Sequence, residues 1–517
     1  MNTSDYLLAA GAPEAVAVID ARGRHTYADL RGAAGKLAAA LAELDLPAGA
    51  RVGILAPNSL FWVAGYLAVL KLGYVAVPFS DKQTVDGIRP QARLAGCSAV
   101  LSDRRTARRF GDVFGPDVPV LTEVELAGDR APYWPDADAD ATGAGGVTEP
   151  GDDAALMFTS GTTAAPKAVR VTHRNIQANT DAIVDYLGLR DDDRMLVVLP
   201  FFYVFGASLL HTHLRVGGSV AVCNTFTFPQ TALDMIEKES CTGFAGVPSS
   251  YLLLLRIGGF ADHRLPSLRH LQQAGGKLAD TVITEIAAAQ PQARLFVMYG
   301  QTEATARLSY LPPDRLGDKR GSIGRGIPGV QLRVLDEQGE PVPVGQRGEI
   351  YALGDNISPG YLDDPEASAE KFTPRGMRTG DIAVVDEEGF IFIVDRRADF
   401  IKSWGNRVSS GEVEGCALQL ADLSSAAAVG APHPEAGEAI VLYATVHPDS
   451  ALTPDGVLDH MRRSLPTYMV PQRVVFLDAM PLSGNGKIVK SALRERAAAD
   501  TDREGTSGHG QPSHAPS

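Results

Sequence analysis

Cysteine is scarce in this 517-residue chain. The four present, Cys97, Cys223, Cys241 and Cys416, are far apart and show no CxxC spacing, which argues against a disulfide framework and a structural zinc site. Positive charge is also short: 48 Lys plus Arg stand against 62 Asp plus Glu, a net charge of -14. That balance repels phosphate backbones and anionic lipid surfaces, so no nucleic-acid partner is expected. No basic stretch followed by an apolar core opens the chain, so Met1 to Ala10 does not read as a secretory leader. Long hydrophobic runs are missing apart from Leu60 to Phe79, and Lys71 and Gly73 interrupt that one. It reads as a buried helix followed by a buried strand, with no membrane insertion. The expected location is the cytoplasm.

What is present is ordinary globular material, 45% hydrophobic and 21% charged. The length favours two or more domains. Helix-like and strand-like segments alternate early: Leu30 to Leu44 is Ala- and Leu-rich at helical spacing, and Arg51 to Leu55 is a short strand. This alternation predicts βαβ units, hence an α/β fold with a largely parallel sheet. Residues 127–152 are rich in Gly, Pro, Ala and Asp and read as a long surface connection. The rhythm resumes at Ala154 and runs to about Val394, where a charged cluster begins. Thr453-Pro454-Asp455 then opens a helix with Val457, Leu458, Met461 and Leu465 on one face, beside a strand at Val441 to Val446. The expected layout is a large domain over 1–395, a hinge at 396–398, a small α+β domain over 399–497 and a disordered polar tail over 498–517.

Four segments carry chemistry. Thr159-Ser160-Gly161-Thr162-Thr163-Ala164-Ala165-Pro166-Lys167 follows an apolar strand, Ala155 to Phe158. Backbone N–H groups and hydroxyls in such a turn can cradle an anion, with Lys167 adding charge; a plain Ser/Thr turn has the same composition. The pattern is not a Walker A loop, because Ala168 to Thr172 alternates like a strand where a helix would be required. Tyr299-Gly300-Gln301-Thr302-Glu303 follows the strand Leu295 to Met298, placing a carboxylate where it could hold Mg²⁺ at phosphate oxygens. The same residues also suit a capped helix start. Asp381 follows a Gly turn and could accept from two ribose hydroxyls, ahead of the cluster Asp395 to Asp399. Lys487 ends the glycine-rich run Ser483-Gly484-Asn485-Gly486, which read alone is a surface turn.

Together and in this order, these segments resemble the adenylate-forming enzyme superfamily: acyl- and aryl-CoA ligases and related adenylation domains. The resemblance runs from His25-Thr26-Tyr27-Ala28-Asp29-Leu30, through Lys71 to Pro78, to Lys487. It implies ATP-dependent activation of a carboxylic acid to an acyl-adenylate, with Mg²⁺, and transfer to the thiol of CoA. By this resemblance Thr159, Ser160, Gly161, Thr162, Thr163 and Lys167 grip the ATP phosphates. Gly275 and Gly276 would pack on adenine and acyl group, Tyr299 and Gly300 would flank the base, and Thr302 would meet the α-phosphate. Glu303, with Thr159, would hold the metal, and Asp381 and Arg396 the ribose. Lys487 would bridge the carboxylate and α-phosphate during adenylation. Lys402 would act in a second conformation reached by rotation about the hinge at Ala398.

The sequence departs from the family pattern at several points. Ala164 and Ala168 stand where glycine is usual, and Ala398 where Asp or Lys is common. Tyr203 occupies a position where many acyl- and aryl-CoA ligases carry histidine, and with Val204 and Gly206 it is a candidate substrate contact. No aspartate occurs between Pro200 and Thr225, which argues against an α-amino acid; the aromatic and aliphatic run Phe201 to Leu210 favours an apolar acyl or aryl group. Loading of a carrier protein's phosphopantetheine in trans, adenylation of an oxyanion such as nitrite, and nucleotide binding without turnover stay open as alternatives.

Overall fold

The computed structural model describes residues 2–123, 148–159, 166–396, 399–420, 422–433, 435–447, 450–483 and 487–506. Ala398, residues 160–165 of the phosphate loop and most of the 127–152 connection lie outside the described residues. The fold is mixed α/β, with a large N-terminal domain and a small C-terminal one. A six-stranded sheet runs in the order Val120–Thr122, Ala99–Ser102, Arg51–Leu55, Val75–Pro78, Asp153–Phe158, Ala168–Thr172. All neighbours are parallel except the last pair, the hairpin that frames the phosphate loop. A nine-stranded sheet has a parallel centre that includes Arg294–Tyr299, His270–Gln273, Gly243–Gly246 and Arg194–Val197.

The helix Leu60–Lys71 is buried along nearly all its length, as its continuous apolar run requires. Its terminal Lys71 ammonium is neutralised by Asp5 at 2.7 Å. Among the described residues no helix is long and apolar enough to cross a membrane. This helix packs in one cluster with Tyr27–Ala42 and Val204–Arg215. The cluster reaches Phe296, Met298, Ala274 and Val247, so the ends of the strands that carry the site rest on the main core.

A smaller antiparallel sheet includes Gly348–Leu353, Gly376–Val385 and Ile391–Arg396 and carries Asp381 and Arg396. The C-terminal domain has its own five-stranded sheet, with Leu423–His433 and Gly437–Val446 paired in register over their length. Thr453 caps the helix Pro454–Ser464 and Val457 and Met461 are buried, as the spacing predicts. The last helix, Lys490–Thr506, extends past Ala497, where the polar tail was expected to begin, and residues 507–517 lie outside the described residues. Its polar composition hid two tethers: Arg494 bonds Asp399, and Asp500 lies 3.6 Å from Arg473.

Candidate active site

Three groups of side chains carry the candidate site residues, two within the large domain and one between the domains. The first is at the end of Arg294–Tyr299. The Tyr299 hydroxyl donates to Asp381 Oδ2, and Arg396 Nε donates to Asp381 Oδ1 at 3.1 Å. Asp381 is only 3% exposed, and its own N–H donates to Thr379 Oγ1 at 3.1 Å. Burial and the facing carboxylate both push the Tyr299 phenol well above its ordinary value, so it stays a donor. Gly300 follows because nothing larger fits: a Cβ there would lie 1.8 Å from the Ala306 carbonyl oxygen.

The second group surrounds Glu303, in the 3₁₀ turn Thr302–Ala304. Glu303 Oε1 accepts from the Tyr361 hydroxyl at 2.7 Å and lies 4.0 Å from Lys371 Nζ. Lys371 donates to the Thr379 carbonyl at 3.2 Å, which links this group to the first. Burial holds the Lys371 ammonium below the usual lysine value, while Glu303 acts in the opposite direction. Lys167 Nζ stands 5.0 Å above the Tyr361 ring and 4.0 Å from Asp364. Lys167, Lys371, Tyr361, Glu349, Arg378 and Gly380 line a cavity of about 210 Å³. The Thr159 N–H donates to the Lys167 carbonyl at 3.1 Å, closing the base of the phosphate loop. Ser160, Gly161, Thr162 and Thr163 lie outside the described residues.

The third group joins the domains. Lys487 Nζ sits 5.3 Å above the ring of Tyr203, the residue that precedes the helix Val204–Arg215. Lys487 Cε also lies 3.4 Å from where a Cβ on Gly275 would stand, and Gly276 is against Pro248. The Lys487 loop is closed by its own backbone, with Ser483 N–H donating to the Lys487 carbonyl at 2.8 Å. Gly206 has a structural duty: a Cβ there would lie 2.1 Å from the Pro200 carbonyl oxygen. Thr302 is buried and Val204 belongs to the core.

The structure therefore links Lys167, Glu303, Tyr299, Asp381 and Arg396 through Tyr361 and Lys371, and sets Lys487 of the small domain against Tyr203 and Gly275. Residues 8–362 fit the AMP-binding enzyme family model and residues 412–487 the AMP-binding enzyme C-terminal domain model. The chain belongs to the AMP-binding enzyme family.

Its relatives agree over nearly the whole length. Feruloyl-CoA synthase of Amycolatopsis sp is 31% identical over 493 residues, covering 94% of this chain and 96% of that protein. 4-Coumarate–CoA ligase 2 of Nicotiana tabacum is 30% identical over 497 residues, covering 92% and 90%. Among solved structures, ATP-bound MatB from Rhodopseudomonas palustris superposes with a TM-score of 0.84 at 27% identity, covering 96% of this chain and 98% of that one. As a member of the AMP-binding enzyme family, this protein is an AMP-forming acid–thiol ligase that uses ATP.

Lys402 is not brought into the group: it is exposed between the buried Ile401 and Ser403 on the hairpin of Ile401–Ser403 and Asn406–Val408, with its N–H donating to Glu438 at 2.6 Å. Conversely, Tyr361 and Lys371 went unread in the sequence. Tyr361 is placed by edge pairing with Val169, next to the phosphate loop, and Lys371 ends the short helix Pro365–Lys371. Neither contact has a local pattern; the glycines and hydroxyls before Lys167 were the only nearby signal.

Proposed function

We propose that this ligase activates a small carboxylic acid with an apolar acyl or aryl body and transfers it to the thiol of CoA. The observation that carries the reading is the seat of Lys487, from the small domain, between Tyr203 and Gly275 of the large one. On this reading Asp381 and Arg396 hold the ribose, and Tyr299 and Gly300 flank the base. Thr159 to Lys167 enclose the phosphates, with Thr302 at the α-phosphate. A carboxylate oxygen attacks the α-phosphorus, the bond to the β-phosphate oxygen breaks, and pyrophosphate leaves. Lys487 bridges the two anions, opposing their repulsion and the charge that builds at phosphorus. Holding them in line contributes more than acid–base chemistry.

Mg²⁺ fits the donor set. No cluster of three or more His, Cys, Asp or Glu side chains that could hold a metal occurs among the described residues. A single carboxylate such as Glu303, aided by Thr159, suits an ion whose other ligands are phosphate oxygens and water. Bound there, it would supply neutralising charge for the departing pyrophosphate.

The second half-reaction asks for a different arrangement. Lys487 fills the approach to the acid while adenylation proceeds, so a thiol can enter only after it withdraws. Rotation about 396–398, centred on Ala398, would remove it and bring Lys402 inward. The thiol sulfur then attacks the acyl carbonyl and AMP departs. The Tyr203 side chain and the neighbouring Val204 and Gly206 would shape the acid pocket.

The test is ATP–pyrophosphate exchange over a panel of acids, followed by addition of CoA and mass detection. Exchange with one acid class and an acyl-CoA product is expected. Exchange without an acyl-CoA transfers weight to a phosphopantetheinyl carrier protein as acceptor. Exchange with nitrite alone, or with no acid at all, contradicts the proposal.

A further inference from the structure

Arg307 carries a charge that the adenylation chemistry does not use. It lies between the 3₁₀ turn Thr302–Ala304 and the strand Ser309–Leu311. Its backbone is clamped: its N–H donates to Asn179 Oδ1 at 3.2 Å, and its carbonyl accepts from Asn179 and Asn356, each at 2.9 Å. Its side chain is among the largest fully buried ones, with the residue 1% exposed. Nevertheless Nε and Nη2 have no hydrogen-bond partner among the described residues. The guanidinium lies 4.6 Å from the centre of the Phe205 ring, and its charge and a hydrogen bond with the Tyr186 phenol oppose that group's burial-driven rise in pKa, which leaves Nε and Nη2 as the unpartnered donors.

A guanidinium stays protonated and offers five N–H donors in a planar fork. Stacking on Phe205 compensates part of the lost hydration. It cannot satisfy donors in the guanidinium plane, and buried charges are ordinarily paired or replaced by apolar residues. Orphan donors of this kind at the edge of a site mark a partner that arrives with the ligand.

The position says which ligand. Tyr203 and Phe205 both belong to the start of one helix, with Lys487 over the first ring and Arg307 over the second. The Arg307 Cα also lies 2.9 Å from where a Cβ on Gly300 would be. Around it the walls are aromatic: Phe205, Phe296, and Tyr186 stacked on Tyr310 at 4.1 Å. We propose that Arg307 recognises a second carboxylate on the acid, so that the preferred substrate is a dicarboxylic acid with an apolar body. One carboxylate reacts beside Lys487, and the other accepts the planar fork of Arg307. The proposal rests on the ligase reading above and narrows its substrate class.

The experiment uses the full-length protein and matched pairs: succinate, glutarate, adipate, phthalate and terephthalate, each against its monoamide. The readout is the ratio of kcat/KM for ATP–pyrophosphate exchange within each pair. In the wild type, at least one diacid should exceed its monoamide by about 100-fold or more, because a site built around a bound group rejects analogues lacking it. In Arg307→Met that ratio should fall towards one, mostly through KM for the diacid. Arg307→Lys, which keeps the charge without the fork, should recover part of it. Wild-type turnover of monoamides or simple monoacids as fast as diacids overturns the dicarboxylate proposal and leaves the ligase reading intact. That arm needs no variant, so misfolding of Arg307→Met cannot protect the proposal. A ratio unchanged in a folded Arg307→Met also overturns it. Exchange with no acid of any kind overturns both, and is told apart by the silence of the monoacids.

Discussion

Asp381→Asn separates the ribose site from the scaffold that holds it. In the structure this buried carboxylate accepts from the Tyr299 hydroxyl and from Arg396 Nε at 3.1 Å. The amide keeps one acceptor oxygen, so Tyr299 can remain bonded and the fold should lose only about 1 kcal/mol, the scale of one weakened hydrogen bond. Arg396 adds little to that loss, since its side chain is 62% exposed and solvent screens the pair. The nucleotide loses more. Two ribose hydroxyls would exchange bonds to a charged acceptor, worth about 1.5–3 kcal/mol each, for weaker ones to an amide. A net loss of about 2–3 kcal/mol corresponds to a rise in KM for ATP of roughly 30- to 150-fold. Exchange kinetics at varied ATP, alongside a thermal melt, read the two effects separately. A KM within threefold of wild type in a folded variant would refute the ribose assignment.

Three further outcomes follow from the same geometry. Lys371→Met removes the ammonium 4.0 Å from Glu303 and with it a competitor for a cation there, so half-saturating Mg²⁺ should fall about tenfold. A higher Mg²⁺ requirement would contradict this placement of the metal. Burial lowers His211 to about 3 and His173 to about 4, so neither takes up a proton in the fold near neutrality, whereas in the unfolded chain both do below about 6.5. Their contribution to stability is complete above pH 6.5 and drains as pH falls, by about 2 kcal/mol for the two between pH 6 and 5, readable by urea unfolding. His211→Phe, which keeps the stack on Tyr66, should lower that slope by about 1 kcal/mol per pH unit; an unchanged slope would refute the assignment.

The segments whose chemistry is local were legible before the structure. The hairpin around the phosphate loop followed from alternation in Ala155 to Phe158 and Ala168 to Thr172, and the helix at Pro454 from its cap. Tyr299, Glu303 and Asp381 were legible because each sits beside a glycine or threonine at a strand end or turn. What escaped was set by tertiary contact. Lys371 resembles any helix-terminal lysine until Glu303 and the Thr379 carbonyl are brought to it from other segments. Nothing local in the sequence singles out Arg307, and only burial between Asn179, Asn356 and Phe205 marks it. The last helix is held both by Leu493 and Ala497, packed on the small domain's sheet, and by pairing of Arg494 with Asp399 and of Asp500 with Arg473, contacts that its mostly polar C-terminal half does not announce.

Lys487 is the side chain of the small domain that, among the described residues, is seated over Tyr203. The most direct measurement compares Lys487→Ala with wild type in ATP–pyrophosphate exchange on a turned-over acid, with ATP affinity measured independently by calorimetry. Removing the cation that bridges two anions should reduce exchange at least about 100-fold, as loss of one charge-stabilising donor does, while ATP binding changes less than threefold. Exchange close to wild type in that variant would contradict the mechanism.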